Sequence, residues 1–270
     1  MAYFNTEYGD IFYRLYGKGE STLVFVNGAA MSTNGWSPFL STLTKKYRVL
    51  LLDLLDQGRT RTIKKDYTLE DQAYILNLLL EELNIDKVHL AGMSYGGKIS
   101  LTFAKKYGDK LESLSLINTD SYNSNFTKEL SKSWLKAGQG LDGDLFASVI
   151  LTSMYSLSYY DNHYDLMKDK ESFFIDNLDK EYYERFKRGV LSAMDYDLRD
   201  ELKNIKVPTL VLTSDEDFVI PKGAQKLIHD GIKGSKWVLI ENAGHAVMYE
   251  KPQVFIKTII EFLDQTKNGQ

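Results

Sequence analysis

Cysteine is absent from the 270 residues and histidine occurs only four times. Without cysteine there is no disulfide and no thiolate metal site, and the composition fits a reducing compartment, so a cytoplasmic protein is expected. Long apolar runs are missing too. No stretch approaches the roughly 20 residues that span a bilayer, and the opening Met-Ala-Tyr-Phe-Asn-Thr-Glu-Tyr lacks the basic region and apolar core of a signal peptide. Neither sign of charge dominates: 33 basic and 37 acidic side chains are interspersed, giving a net charge of −4. That balance argues against nucleic acid as a partner, and nothing suggests a membrane partner. What remains is an ordinary globular composition, 43% hydrophobic and 26% charged, able to build one large α/β domain or two small ones.

Residues 92–97 read Gly-Met-Ser94-Tyr-Gly-Gly, between the apolar run Val88–Ala91 and the helix-like stretch from Lys98. Gly-x-Ser-x-Gly between a strand and a helix describes a nucleophile elbow, a turn tight enough to lift a serine hydroxyl clear of a sheet. Its glycines are needed because the serine takes a positive φ and the flanking backbone comes so close that a Cβ would clash. The helix starting just behind the serine points its N-terminal N–H groups at negative charge developing there.

Strand-like segments are predicted at Ile11–Tyr16, Thr22–Asn27, Arg48–Asp53, Lys87–Ala91, Leu111–Ile117, Thr209–Thr213 and Lys236–Ile240. The central ones are almost continuously apolar, as parallel strands buried on both faces are. Helical periodicity marks Leu69–Leu83, Gly97–Tyr107 and Pro252–Leu263, the last with proline in its first turn. This alternation predicts an α/β fold, a mostly parallel sheet with helices on both faces. From about Ser121 to Asp195 the rhythm breaks: only helical patterns occur, at Asn125–Ala137, Leu145–Leu157 and Tyr182–Met194. The expectation is one core, residues 1–120 and 196–270, with an inserted all-helical cap at 121–195. That insertion holds 13 of the 34 aromatic residues, an excess too small to single out any as pocket-lining.

A serine hydroxyl needs a base, usually a histidine oriented by a carboxylate. His89 falls inside a strand, His229 in a helix and His163 in the insertion. His245 lies in the small-residue loop after the last strand, where open α/β sheets build their sites. The carboxylate should leave a strand end between serine and histidine, and Asp215, Glu216 and Asp217 all follow Thr209–Thr213.

By these ordered motifs the chain resembles the α/β-hydrolase family: Asn27-Gly28 after an early strand, Asp53–Thr60, Gly92–Gly97, Asp217 with Pro221, and Gly244-His245, in the order Ser…Asp…His. The family's usual acid, four residues before a proline, selects Asp217, with Asp215 the alternative. The resemblance implies catalytic roles for Ser94, Asp217 and His245. It also assigns an oxyanion hole to the backbone N–H groups of Tyr95 and Ala29. Asn27 stands where the family usually has His, a change to how that loop is braced. Asp56 replaces a glycine of the pattern Asp-x-x-Gly-x-Gly-x-Ser, so it keeps an ordinary φ or uses the tolerance of Asp for the left-handed region. Gly28, Met31 and Met93 are expected to touch substrate, and Trp36 to pack at the start of the first helix.

A serine at the elbow sets aside epoxide hydrolases and haloalkane dehalogenases, which use aspartate there. It implies hydrolysis of a small-molecule carboxylic ester through an acyl-enzyme, with no metal or organic cofactor. Thioesterase, lactonase, amidase, C–C bond hydrolase and aminopeptidase activities share the machinery. A ligand-binding or signalling protein that keeps the fold is the alternative from another class.

Overall fold

The computed structural model describes residues 2–62 and 65–267. A hairpin of β1 (Ala2–Thr6) and β2 (Gly9–Tyr16) leads into β3 (Thr22–Val26), α1 (Leu40–Leu43), β4 (Arg48–Asp53) and β5 (Arg61–Thr62). Then come α2 (Leu69–Glu82), β6 (Val88–Met93), α3 (Tyr95–Tyr107) and β7 (Leu111–Ile117). Five helices follow in succession: α4 (Asn125–Gln139), α5 (Gly143–Met154), α6 (Leu157–Asn162), α7 (Tyr164–Asn177) and α8 (Lys180–Ser192). The chain closes with β8 (Thr209–Ser214), α9 (Lys222–Gly231), β9 (Lys236–Ile240), α10 (Val247–Glu250) and α11 (Pro252–Lys267). No helix among the described residues is long and apolar enough to cross a membrane.

The strands form one sheet in the order β1-β2-β4-β3-β6-β7-β8-β9, with β5 alongside β2. Pairing is parallel from β4 through β9 and antiparallel where β2 meets β1, β4 and β5. The sheet is therefore mixed, with its parallel part at the centre. Side chains alternate across it as the pleat requires. Val24, Leu50 and Leu52 join the helix residues Leu76, Leu79 and Ile99 on one face. Leu23, Phe25 and Leu51 join Trp36, Phe255 and Ile259 on the other. Strand β3 has β4 on one side and β6 on the other, so the strand order reverses there. Crevices at such switch points, outside the carboxyl ends of the strands, are where open α/β sheets bind ligands.

The helical insertion lies between β7 and β8, and a bridge between Tyr122 and Asp197 closes its base. The expected single helix over Leu145–Leu157 ends earlier, at Met154, because the Ser156 hydroxyl accepts the Tyr159 N–H and starts a new helix. Helices α6 and α7, and the edge strands β1 and β5, were not evident in the sequence pattern. The insertion has its own apolar centre around Phe146, Tyr183 and Phe186, joined by Val219 and Ile220 from the loop after β8.

A second tie fastens the insertion to the core. Asp56 sits at φ 61°, in the left-handed region, and turns its carboxylate onto Arg188 of α8. Both guanidinium contacts, from Nε and Nη2, measure 2.7 Å. The side chains are 2% and 14% exposed, so loss of Arg188 leaves the desolvated Asp56 carboxylate facing the more distant Arg185 Nε, 4.0 Å away. Arg188→Ala is expected to cost about 3 kcal/mol in urea unfolding. Asp56→Gly should be less destabilising than Asp56→Ala by about 1 kcal/mol, since alanine must also hold the left-handed backbone.

Candidate active site

At the end of β6 the backbone of Ser94 takes φ 54° and ψ −118°, outside the regions ordinary residues populate. The flanking glycines make this possible. A Cβ on Gly92 would lie 2.3 Å from the Gly96 carbonyl oxygen, and one on Gly96 would lie 2.2 Å from that of Val26. The turn is held by the Ser94 N–H donating to Ile117 O at 2.8 Å and the Thr119 hydroxyl donating to Ser94 O at 2.7 Å. Helix α3 begins at the next residue, so the Tyr95 N–H lies in a first turn without intrahelical acceptors. Ser94 is half-buried.

His245 comes from the loop after β9, and its Nε2 lies 2.8 Å from Ser94 Oγ. Its Nδ1 lies 2.8 Å from Asp217 Oδ2, supplied by the loop after β8. With Asp217 ionised, Nδ1 carries the proton and donates, and Nε2 is left to accept from the serine hydroxyl. The carboxylate also accepts the Ile220 N–H at 2.8 Å and a Gln225 Nε2–H at 3.0 Å. Asp215 is occupied elsewhere, accepting the Ala243 N–H at 3.3 Å, so of the three acids it is Asp217 that meets the histidine. His89 and His229 lie among packing contacts with Tyr47 and Trp237, and His163 stacks on Tyr159, all away from Ser94.

Two bracing residues escaped sequence reasoning. Asn118, at the end of β7 with φ 43°, donates from Nδ2 to Gly244 O at 3.2 Å and His245 O at 2.9 Å. Its Oδ1 accepts the Ser214 N–H at 3.0 Å. Glu250 accepts the Gly244 N–H at 3.1 Å and, from the insertion, the Ser156 N–H at 3.2 Å and hydroxyl at 2.5 Å. Neither residue belongs to a local sequence motif; only a positive-φ-tolerant Asn at a strand end hinted at the first.

The loop after β3 turns at Gly28–Met31, closed by the Met31 N–H donating to Gly28 O at 3.3 Å, with Ala30 at φ 57°. Asn27 braces it from a fully buried position. Its amide donates to Leu52 O at 2.9 Å, to Asp53 Oδ1 and to Gln57 Oε1, both at 3.2 Å. Its oxygen accepts the Trp36 indole N–H at 2.7 Å. Gln57 in turn donates to Gly28 O at 3.1 Å. Trp36, expected at the start of the first helix, is buried in a 3₁₀ turn and stacks on Phe25 at 4.3 Å.

A cavity of about 470 Å³ opens over these groups. Ser94 and His245 lie in its wall with Gly28, Ala29, Met31 and Met93. The insertion contributes Trp134, Tyr155, Phe173, Phe174 and Phe186, naming the pocket-lining aromatics that the sequence left open. A smaller cavity of about 260 Å³ shares Ala29–Ser32 with it and reaches Asp56, Tyr95 and Arg185.

A fold of this topology with Ser, His and acid at three strand ends defines a class of protein, and comparison with known proteins gives its family. A profile described as alpha/beta hydrolase fold matches residues 21–252. The chain is 30% identical over 283 residues to a proline iminopeptidase of Lactobacillus acidophilus, covering 93% of this chain and 94% of that one. It is 24% identical over 268 residues to the 2-hydroxy-6-oxononadienedioate/2-hydroxy-6-oxononatrienedioate hydrolase of Escherichia coli K12, covering 92% and 88%. Among solved structures, MGS-M2, an alpha/beta hydrolase enzyme from a Medee basin deep-sea metagenome library, superposes with a TM-score of 0.95 at 30% identity over 97% of both chains. The chain therefore belongs to the alpha/beta hydrolase fold family and is an enzyme of that class.

Asn27→Ala would leave the Trp36 N–H without its acceptor and Leu52 O without its donor, both buried. A loss of about 2–4 kcal/mol is expected in urea unfolding, whereas an Asn27 that merely filled space would cost less than 1 kcal/mol.

Proposed function

We propose that this enzyme is a serine hydrolase acting on small-molecule carboxylic esters through an acyl-enzyme on Ser94. The observation that carries the reading is the continuous relay from Ser94 Oγ to His245 Nε2 to Asp217 at 2.8 Å per step, set in the wall of an apolar cavity. Ser94 Oγ attacks the ester carbonyl carbon while His245 Nε2 takes its proton. The tetrahedral oxyanion lies against the N–H groups of Ala29 and Tyr95, with the N-terminus of α3 adding favourable field. Collapse breaks the bond to the leaving alkoxide, which His245 protonates. Water, deprotonated by the same nitrogen, then releases the acid and restores Ser94. Asp217 holds the imidazole tautomer and stabilises the imidazolium. No step calls on a metal or an organic cofactor.

Residues 121–195 act in this reading as a cap over the core formed by residues 1–120 and 196–270. The cap supplies the aromatic wall, and Gly28, Met31 and Met93 line the floor beside the nucleophile, so the acyl chain is held between them. Such a site takes a small molecule.

A fluorophosphonate is expected to label the protein at Ser94, with labelling lost in Ser94→Ala. On a panel of esters, thioesters, lactones and amides, Ser94→Ala should lower kcat by about 10⁴-fold or more. Absence of labelling, together with no turnover of short activated esters, would sink the serine-esterase reading. Asn118→Ala frees the Gly244 and His245 carbonyls and is expected to lower kcat on the best ester by roughly 10²-fold with little change in KM. Equal kcat in that variant would show that Asn118 does not position His245.

A further inference from the structure

The reaction chemistry leaves one charged group in the cavity wall unused. Lys170 of α7 lines the same cavity as Ser94 and His245. Its ammonium lies 5.8 Å from the ring centroid of Tyr155 and 5.3 Å from that of Tyr249, and both rings line the cavity as well. The lysine is partly buried, and burial lowers its pKa, the sole cause of that shift. Among the described residues it has no carboxylate partner within 4.0 Å. The nearby acids do not neutralise it. Glu250, whose charge helps to raise the Tyr155 pKa, spends its oxygens on Ser156 and Gly244. Asp169 also reaches the cavity but is exposed, so water screens its charge.

Charges drawn out of water are normally paired. Two aromatic faces soften the cost for an ammonium, yet they leave its attraction for an anion intact. The remaining cavity-lining groups of α5 and α7, Ile150, Leu151, Met154, Phe173 and Phe174, are apolar and cannot supply one. We propose that Lys170 anchors a carboxylate on the substrate, so that the preferred substrate is an acyl compound negatively charged at the end remote from the scissile bond. This rests on the serine-hydrolase reading. A single ammonium, with no second Lys or Arg among the described residues that line the cavity, balances one carboxylate better than a phosphate dianion. Taken as a sphere, the cavity is roughly 10 Å across, which limits the spacer between carboxylate and carbonyl to a few methylenes.

The test compares kcat/KM for mono(4-nitrophenyl) glutarate and for neutral 4-nitrophenyl butyrate in the wild type, Lys170→Met and Lys170→Arg. The ratio of charged to neutral ester is expected to fall roughly ten- to 100-fold in Lys170→Met, through KM rather than kcat, and to recover most of the way in Lys170→Arg. Binding is read separately by calorimetry of glutarate with Ser94→Ala. It should be measurable there, and weakened by the same factor when Lys170→Met is added. Equal ester ratios in the wild type and Lys170→Met, or glutarate binding that ignores residue 170, would overturn the anchor while leaving the hydrolase reading standing. Glutarate binding that depends on Lys170 in a protein that turns over neither ester would do the reverse.

Discussion

The backbone of Ser94 holds a conformation that an ordinary residue adopts only at a cost of order 1–3 kcal/mol, and the rest of the site is arranged around that turn. Two glycines permit it, because the carbonyl oxygens of Val26 and Gly96 occupy the places where a Cβ would be. Helix α3 begins at once behind it, so the strained residue sits at the positive end of a helix dipole. The same economy recurs along the carboxyl edge of the sheet. Of the seven non-glycine residues with positive φ among the described residues, five follow a strand at that edge: Ala30, Asp56, Ser94, Asn118 and Asn242. Strain is thereby concentrated where the loops converge, and the buried sheet supplies the rigidity that keeps it there.

Those loops are held by polar networks instead of by packing alone. Asn27 gathers Trp36, Leu52, Asp53 and Gln57 beneath the turn that carries Ala29. Asn118 pins the carbonyls of Gly244 and His245 to the neighbouring strand end. The helical insertion enters the same networks. Glu250 receives donors from both Ser156 and Gly244, and the Ala246 N–H donates to Met154 O at 2.9 Å. The roof of the cavity and the loop of the histidine are thus one hydrogen-bonded unit. Asp56 and Arg188 make a second anchor between the insertion and the loop after β4.

How much of this could be read from the chain follows from how local each signal is. The elbow is contained in five residues, and His245 lies in a small-residue loop after an apolar run, so both were visible. The central strands were visible because burial on both faces makes them continuously apolar. Edge strand β1, with alternate residues half-exposed, carries no such run. Helix α7 is mostly exposed, with Met167 its buried residue, and its periodicity is weak for that reason. The choice of Asp217 over Asp215 needed the family pattern, since three adjacent acids look alike until one is seen to cap the Ala243 N–H. Asn118, Glu250 and Lys170 were illegible because their partners lie elsewhere in sequence. Asp56 stood out as a departure from the pattern, but its partner is 132 residues away. No spacing rule reaches that far.

The central claim is that Ser94 carries the acyl group between two half-reactions. It is tested most directly by rapid-quench mass spectrometry during turnover of an activated ester such as 4-nitrophenyl butyrate. A transient adduct of one butyryl group, mapped to the peptide that contains Ser94, is the expected result. Turnover in which the acyl group is found on another residue, or on none at any quench time, would contradict it.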